Sequence, residues 1–275
     1  MATSTHAGRD ELSFWEKIRK RRRKRIKRAG KRLIRGLADF LGRQSLVGNA
    51  PVLDKTRFPE VMALEANWRA IRAELDDILK HREAVPLLHQ VSPDQKRIST
   101  GTSWRTFILF GFGNKLVKNC TRAPETTRLL EQIPNLQTAW FSILSPRYHI
   151  PAHRGITKGI LRCHLGLVVP EDVQNCTLRL DDQVYSWKEG EAVLFDDTYE
   201  HEVLNDTDDD RVVLLIDFDR PMRIWGRMLH KSFLALLKLT AYYRDPASVM
   251  RSYEDQFETA VRQAEETREN LSQVG

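Results

Sequence analysis

The chain has 275 residues, 41% of them hydrophobic and 29% charged, which is enough apolar material for one substantial core and too much for a disordered polymer. Thirteen Lys or Arg against a single acid give Glu16 to Arg35 a charge of +12, so within a total of +7 the other residues sum to −5 and the basic character belongs to an arm. No run of 18 apolar residues suggests a spanning helix, no apolar region follows the basic stretch as a secretory signal would need, and Cys120, Cys163 and Cys176 have no paired spacing, so reduced thiols in a cytoplasmic protein are expected.

In chain order, residues 1–45 form a loose tail and then a basic amphipathic arm. Ile18, Ile26, Ala29, Leu33, Leu37 and Phe40 recur at helical spacing among Lys and Arg, behind Phe14 and Trp15. Residues 14–41 are expected on an anionic membrane surface, which would make the protein peripheral to the cytoplasmic membrane face. A solvated helix or packing on the protein body is the alternative. No nucleic acid is expected, because no repeated aromatic and basic sheet pattern accompanies the charge. Nothing in the sequence fixes the oligomeric state.

Residues 46–137 predict a helical and mixed scaffold. Val61, Leu64, Trp68, Ile71, Leu75, Ile78 and Leu79 mark an amphipathic helix from Phe58 to Lys80, with Pro59 in its first turn. Pro86, Pro93 and Gly101 predict loops, Trp104 to Phe110 a strand, and residues 124–132 a short helix. Residues 138–221 change texture: strands are predicted at 138–144, 147–151, 160–169, 176–180, 183–187, 192–195, 200–204 and 211–218, with no helices for crossovers from 147 to 218. The expectation is a mainly β fold, a double-stranded β-helix or jelly roll with flanking N- and C-terminal helices. Residues 222–275 form a C-terminal helical region. Met228, Leu229, Phe233, Leu236, Leu237, Thr240 and Tyr243 trace a helix from Trp225 that ends before Pro246 and either caps the barrel or faces membrane, and the charged remainder reads as helical and exposed.

His153 lies in P-R-Y-H-I-P-A-H-R-G, and His201 follows the strand-like A-V-L-F-D-D-T-Y-E-H. Two imidazoles brought together by a sheet could hold one Fe(II), and a buried Arg211 beside them could hold a carboxylate. His153 is followed by Arg154 and Gly155, so no H-x-D motif supplies a carboxylate ligand. Arg162 and His164 are two apart on one predicted strand and share a face, opposite Leu161, Cys163 and Leu165. Asp196 and Asp197 are expected to hold the His201 loop or to serve its turn, His149 is the alternative ligand to His153, and Trp187 and Phe195 read as core.

The segments F-S-I-L-S-P-R-Y-H-I-P-A-H-R-G, G-I-L-R-C-H-L-G-L-V-V-P, W-K-E-G-E-A-V-L-F-D-D-T-Y-E-H-E-V and R-V-V-L-L-I-D-F-D-R-P together resemble the catalytic domain of the aspartyl/asparaginyl β-hydroxylase family. A weaker likeness extends back to Phe58 and includes Trp104 and Cys120. The resemblance implies an Fe(II)- and 2-oxoglutarate-dependent dioxygenase that uses O2, with ascorbate as a possible support. It implies His153 and His201 as iron ligands, glycine at 155 in place of the acidic ligand, and Ser142, His164 and Arg211 as 2-oxoglutarate contacts. Arg162 is then the group that grips an acidic substrate or lies beside it. The family's members act on protein side chains or on envelope lipids. The expected reaction is hydroxylation of a C–H bond in a bacterial envelope lipid, in its sugar or acyl part. The alternatives are an aspartyl or asparaginyl side chain of a protein or peptide, and a non-catalytic membrane-associated jelly-roll binding protein.

Overall fold

The computed structural model describes residues 36–92, 98–99, 101–238 and 241–274. The chain divides into two compact units, Met1–Phe40 and Leu41–Gly275. Of the first unit only residues 36–40 are described, and they are helical. The membrane arm expected over 14–41 therefore lies almost wholly outside the described residues.

The second unit is a mixed α/β fold built on two antiparallel sheets. Its strands are β1 (Trp104–Gly111), β2 (Asn114–Lys115), β3 (Leu136–Leu144), β4 (Tyr148–His153), β5 (Ile160–Val168), β6 (Cys176–Leu180), β7 (Gln183–Ser186), β8 (Ala192–Phe195), β9 (His201–Asn205) and β10 (Arg211–Asp219). The larger sheet has the order β2-β1-β3-β10-β5-β8 and the smaller one β4-β9-β6-β7. β1 and β2 precede residue 138 yet extend the same sheet as the strands after it. Within β6–β7 the register Leu180↔Gln183 leaves a two-residue turn, and Asp181 takes the positive φ of 55° that such a hairpin needs.

Alternation along the strands of the large sheet sorts its side chains into two layers. Phe107, Leu109, Phe141, Ile143, Leu161, Cys163, Leu165, Leu214 and Ile216 join one core with Val61, Leu64, Ile71, Leu75 and Ile78 from the helices packed on that face. Burying each of these side chains contributes about 1.5–3 kcal/mol. The opposite face carries Trp104, Leu144, Phe195, Val213 and Leu215. These pack against Ile150, Cys176, Leu178, Leu180 and Val203 of the smaller sheet in a second core.

The helix expected from Phe58 to Lys80 is two helices, α1 (Pro59–Ala66) and α2 (Trp68–Leu79). Asn67 separates them: its φ of −109° leaves the helical region, and its side-chain amide donates to the Ala63 carbonyl at 2.8 Å. A four-residue helix α3 (Leu88–Val91) follows, then α4 (Val117–Arg122) and α5 (Pro124–Leu130). The C-terminal region is α6 (Ile224–Lys238) and α7 (Ala241–Val274). The periodicity predicts one helix from Trp225 through Tyr243 that ends before Pro246; instead α6 stops at Lys238, and Tyr243 and Pro246 both lie inside α7. The charged remainder is not simply exposed, because Met250, Glu254, Phe257 and Val261 are buried. Glu254 accepts from the backbone amides of Lys118 at 2.6 Å and Asn119 at 3.0 Å, which satisfies the open N-terminus of α4.

Candidate metal centre

His153 and His201 face each other across the antiparallel pair β4–β9, with ring centroids 4.1 Å apart. Their meeting depends on a bulge. Ile150 pairs with Val203, but His153 rather than Ala152 pairs with His201, so β4 carries one extra residue around Pro151. Simple alternation from the buried Ile150 would turn residue 152 inward. The bulge reverses the parity and brings His153 to the inner face, and Pro151, which has no amide to donate to the ladder, suits that interruption. His149 lies on the outer face, half exposed and bonded to Glu202 at 3.1 Å, so it does not share the centre.

Each ring's tautomer is set by a backbone carbonyl. His153 Nδ1 donates to Pro151 O at 2.8 Å and His201 Nδ1 donates to Tyr199 O at 3.0 Å, which assigns the lone pair to Nε2 in both rings. Burial, then the neighbouring His153, then Arg162 push His201 down to about 3, so it is a neutral imidazole at ordinary pH. Among the described residues no group of three or more His, Cys, Asp or Glu side chains is arranged to hold a metal. The donor set is two imidazoles, which suits ferrous iron while leaving other coordination positions open.

A third side chain at position 155 is excluded by packing. A Cβ built on Gly155 would overlap the Asp197 carboxylate, and the Gly155 amide donates to Asp197 O at 2.7 Å. Asp197 is itself 3.4 Å from Arg162, and burial pushes its carboxyl up to about 6 against the lowering effect of that arginine. Asp196 turns the other way. It receives Arg220 at 2.5 Å and Lys158 at 2.8 Å, and accepts from the Thr198 amide at 3.0 Å. The two carboxylates thus divide their work: Asp196 anchors the turn and Asp197 lines the centre.

A row of rings leads inward from the histidine pair. Phe195 stands 5.8 Å from His201 and 5.0 Å from His164, and His164 stacks 6.0 Å from Trp187. The Arg211 guanidinium sits 4.7 Å over the Trp187 ring. Arg211 is only 1% exposed, yet its Nε and one Nη find no hydrogen-bond partner among the described residues, and neither does either nitrogen of His164. Burial drives His164 well below its usual value, with Arg211, Arg162 and His201 adding to it, and brings Arg211 down to about 10. A buried guanidinium with unmet donors is costly, and an anionic ligand bonded in a fork would remove that cost. Ser142 is buried on the same sheet face and receives the Trp104 indole N–H at 3.0 Å.

Arg162 and His164 share the inner face of β5, as alternation predicts. Arg162 is engaged within the chain: its Nε and Nη donate to the two oxygens of Asp217 at 2.7 and 2.8 Å. Asp217 also accepts from Thr138 Oγ1 at 3.0 Å. Sequence reasoning missed Asp217, although its position six residues after Arg211 on one strand put it on the same face. It also gave Trp187 and Phe195 no part in the site; both are buried core residues, and they bridge the rings of the centre.

A family model described as aspartyl/asparaginyl beta-hydroxylase matches residues 65–221. The ornithine lipid ester-linked acyl 2-hydroxylase of Rhizobium tropici is 42% identical over 211 residues, 77% of this chain and 75% of that protein. Human aspartyl/asparaginyl beta-hydroxylase is 32% identical over 166 residues, 58% of this chain but 21% of the human protein. Human aspartate beta-hydroxylase domain-containing protein 2 is 31% identical over 173 residues, 59% of this chain and 45% of that protein. Membership implies a hydroxylase that uses Fe(II), 2-oxoglutarate and O2, and this chain belongs to the aspartyl/asparaginyl β-hydroxylase family.

Proposed function

We propose that the protein hydroxylates a C–H bond of an envelope lipid, in its acyl or sugar part, from a jelly-roll site between the two sheets. The observation that carries the reading is the buried Arg211, whose unmet donors lie one ring beyond His164 on a path that begins at the two imidazoles. His153 and His201 would hold Fe(II) through Nε2. Arg211 would hold the distal carboxylate of 2-oxoglutarate, with Ser142 and His164 as its further contacts. When bound, the iron and its cosubstrate supply the oxidising power that inserts oxygen from O2 into an unactivated C–H bond. The chain's own residues do the positioning. The carbonyls of Pro151 and Tyr199 fix ring orientation, Asp197 fills the space above Gly155, and Trp187 and Phe195 keep water from the interior.

The lipid reading draws on two supports. The Rhizobium tropici relative is an acyl 2-hydroxylase of ornithine lipid. Arg162, the group that an acidic side chain would seek, already donates twice to Asp217. The second reading, hydroxylation of an aspartyl or asparaginyl side chain, draws on the same Arg162, which lies on the site face and could exchange partners. The basic arm over 14–41 would bring the enzyme to an anionic, cytoplasmic membrane face.

Succinate release in the presence of Fe(II), O2 and 2-oxoglutarate, measured against ornithine-containing and other envelope lipids and against Asp- and Asn-containing peptides, tests both readings. Mass spectrometry should find one added oxygen on a lipid. Oxygen on a peptide alone would favour the second reading, and failure to bind either Fe(II) or 2-oxoglutarate would favour a non-catalytic binding protein.

A further inference from the structure

The geometry points to α6 as a second membrane contact: its outward face, bearing Trp225, Met228, Leu229 and Leu236, docks on an anionic lipid bilayer. The helix has two apolar faces where a surface helix needs one. Its inward face is complete without the other: Gly226 and His230 are buried, Phe233, Leu234 and Leu237 are half-buried, and His230 Nε2 bonds Asp219 at 3.1 Å. Cβ atoms built on Gly226 and Gly159 would overlap Gln44 and the His230 ring, which shows how closely α6 is seated on the body.

Trp225, Met228, Leu229 and Leu236 follow the spacing i, i+3, i+4, i+11 and form one stripe. Trp225 is 67% exposed, Met228 53% and Leu236 64%. This one helix supplies five of the twelve large apolar side chains exposed among the described residues. Scattered single exposures need no explanation, but a stripe of this kind does.

Charge identifies the occupant. From Pro221 to Thr240 the chain contains no Asp or Glu, while Arg223, Arg227 and Lys231 are exposed and have no carboxylate partner among the described residues. Apolar side chains with a tryptophan, flanked by basic groups and free of acids, match the acyl boundary and the phosphates of an anionic leaflet. The seat of the helix matters too. Its buried His230 covers Gly159, and the Arg220 amide donates to the Gly159 carbonyl at 2.8 Å. Gly159 belongs to the segment that leaves His153 and carries Gly155, and Ile156 on it is also exposed. A bilayer under α6 would lie beside that segment. The inference concerns where the protein rests and does not depend on which molecule is oxidised.

The test is co-flotation of the full chain with phosphatidylcholine vesicles containing about one third phosphatidylglycerol. Salt of roughly 0.5 M screens the contacts of the basic arm. Replacing Met228, Leu229 and Leu236 together by serine should lower partitioning on the order of tenfold or more, because the apolar area inserted is removed. Acyl chains brominated near the headgroup should quench tryptophan emission in a protein carrying Trp15→Phe, and adding Trp225→Phe should abolish most of that quenching while binding persists. Partitioning within about twofold of the parent in a triple variant with native circular dichroism would overturn the inference. So would undiminished quenching once Trp225→Phe is added, or a sedimenting dimer that the triple substitution dissociates with no change in vesicle binding. Binding of 2-oxoglutarate in vesicle-free solution should be equal in parent and triple variant, and its absence from both would count against the oxygenase reading instead.

Discussion

The Asp197 carboxylate occupies the space that any side chain at Gly155 would need. Asp197 cannot swing away freely, since Arg162 holds it and its own carbonyl receives the Gly155 amide. Gly155→Ala should therefore displace Asp197, cost about 1–3 kcal/mol of stability, and depress turnover more than its small size suggests. Gly155→Asp should not create a working third ligand, because the new carboxylate would enter an occupied and negatively charged space. Thermal melts and Fe(II) titrations of both variants check this; tighter iron binding in Gly155→Asp would refute it.

Arg211 makes an opposite pair of predictions for stability and binding. In the ligand-free protein its buried charge is an expense, so Arg211→Met, similar in volume, should leave stability equal or higher. The same change should weaken 2-oxoglutarate binding at least a hundredfold, on the order of 3 kcal/mol for a lost charge-assisted fork. Melting with and without 2-oxoglutarate reads both effects at once. A variant that loses stability yet keeps its ligand-induced shift would place the dicarboxylate elsewhere.

Acid should destabilise the metal-free protein through its buried imidazoles. Unfolded, each histidine takes up a proton near 6.5; folded, His201 waits until about 3, and His164 titrates well below its usual value. Between those limits the unfolded chain binds more protons, so stability falls as pH drops through 6.5, by up to about 1.4 kcal/mol per pH unit for each ring. Asp197 works against this, because its folded form takes up a proton at about 6 while the unfolded carboxylate waits until 3.8. Denaturant midpoints at pH 7.5 and 5 should show the net loss, and His164→Asn should remove one imidazole's share. Identical pH slopes in parent and variant would mean that His164 is not buried as a neutral ring.

Much of this was legible before any coordinates. The strands from residue 138 onward announce themselves by length and by turn residues, and β5 displays its two faces openly: Leu161, Cys163 and Leu165 for the helices, Arg162 and His164 for the interior. What stayed hidden depends on contacts between distant segments. No local pattern reveals that the bulge near Pro151 reverses the parity of β4, since periodicity alone turns residue 152 inward. Asn67 splits one periodic run into two helices because its amide bonds back to Ala63, an outcome that the apolar spacing does not register. α7 reads as a solvated charged helix until the core beneath it claims Met250, Phe257 and Val261.

The last prediction separates two roles for Arg162. If its guanidinium serves mainly to neutralise Asp197 and Asp217, then Arg162→Met leaves two buried carboxylates without their cation, at a cost of about 3–5 kcal/mol near neutral pH. Removing the arginine also removes the larger of the two charges that lower Asp197, so that carboxyl should titrate still higher. The folded variant would then take up a proton that the unfolded chain refuses until 3.8, and its stability should fall less steeply than the parent's as pH drops from 7 toward 5. Urea denaturation at the two pH values measures this directly. A variant as stable as the parent at both, but unable to turn over an acidic peptide, would assign the guanidinium to substrate and revive the amino-acid reading over the lipid one.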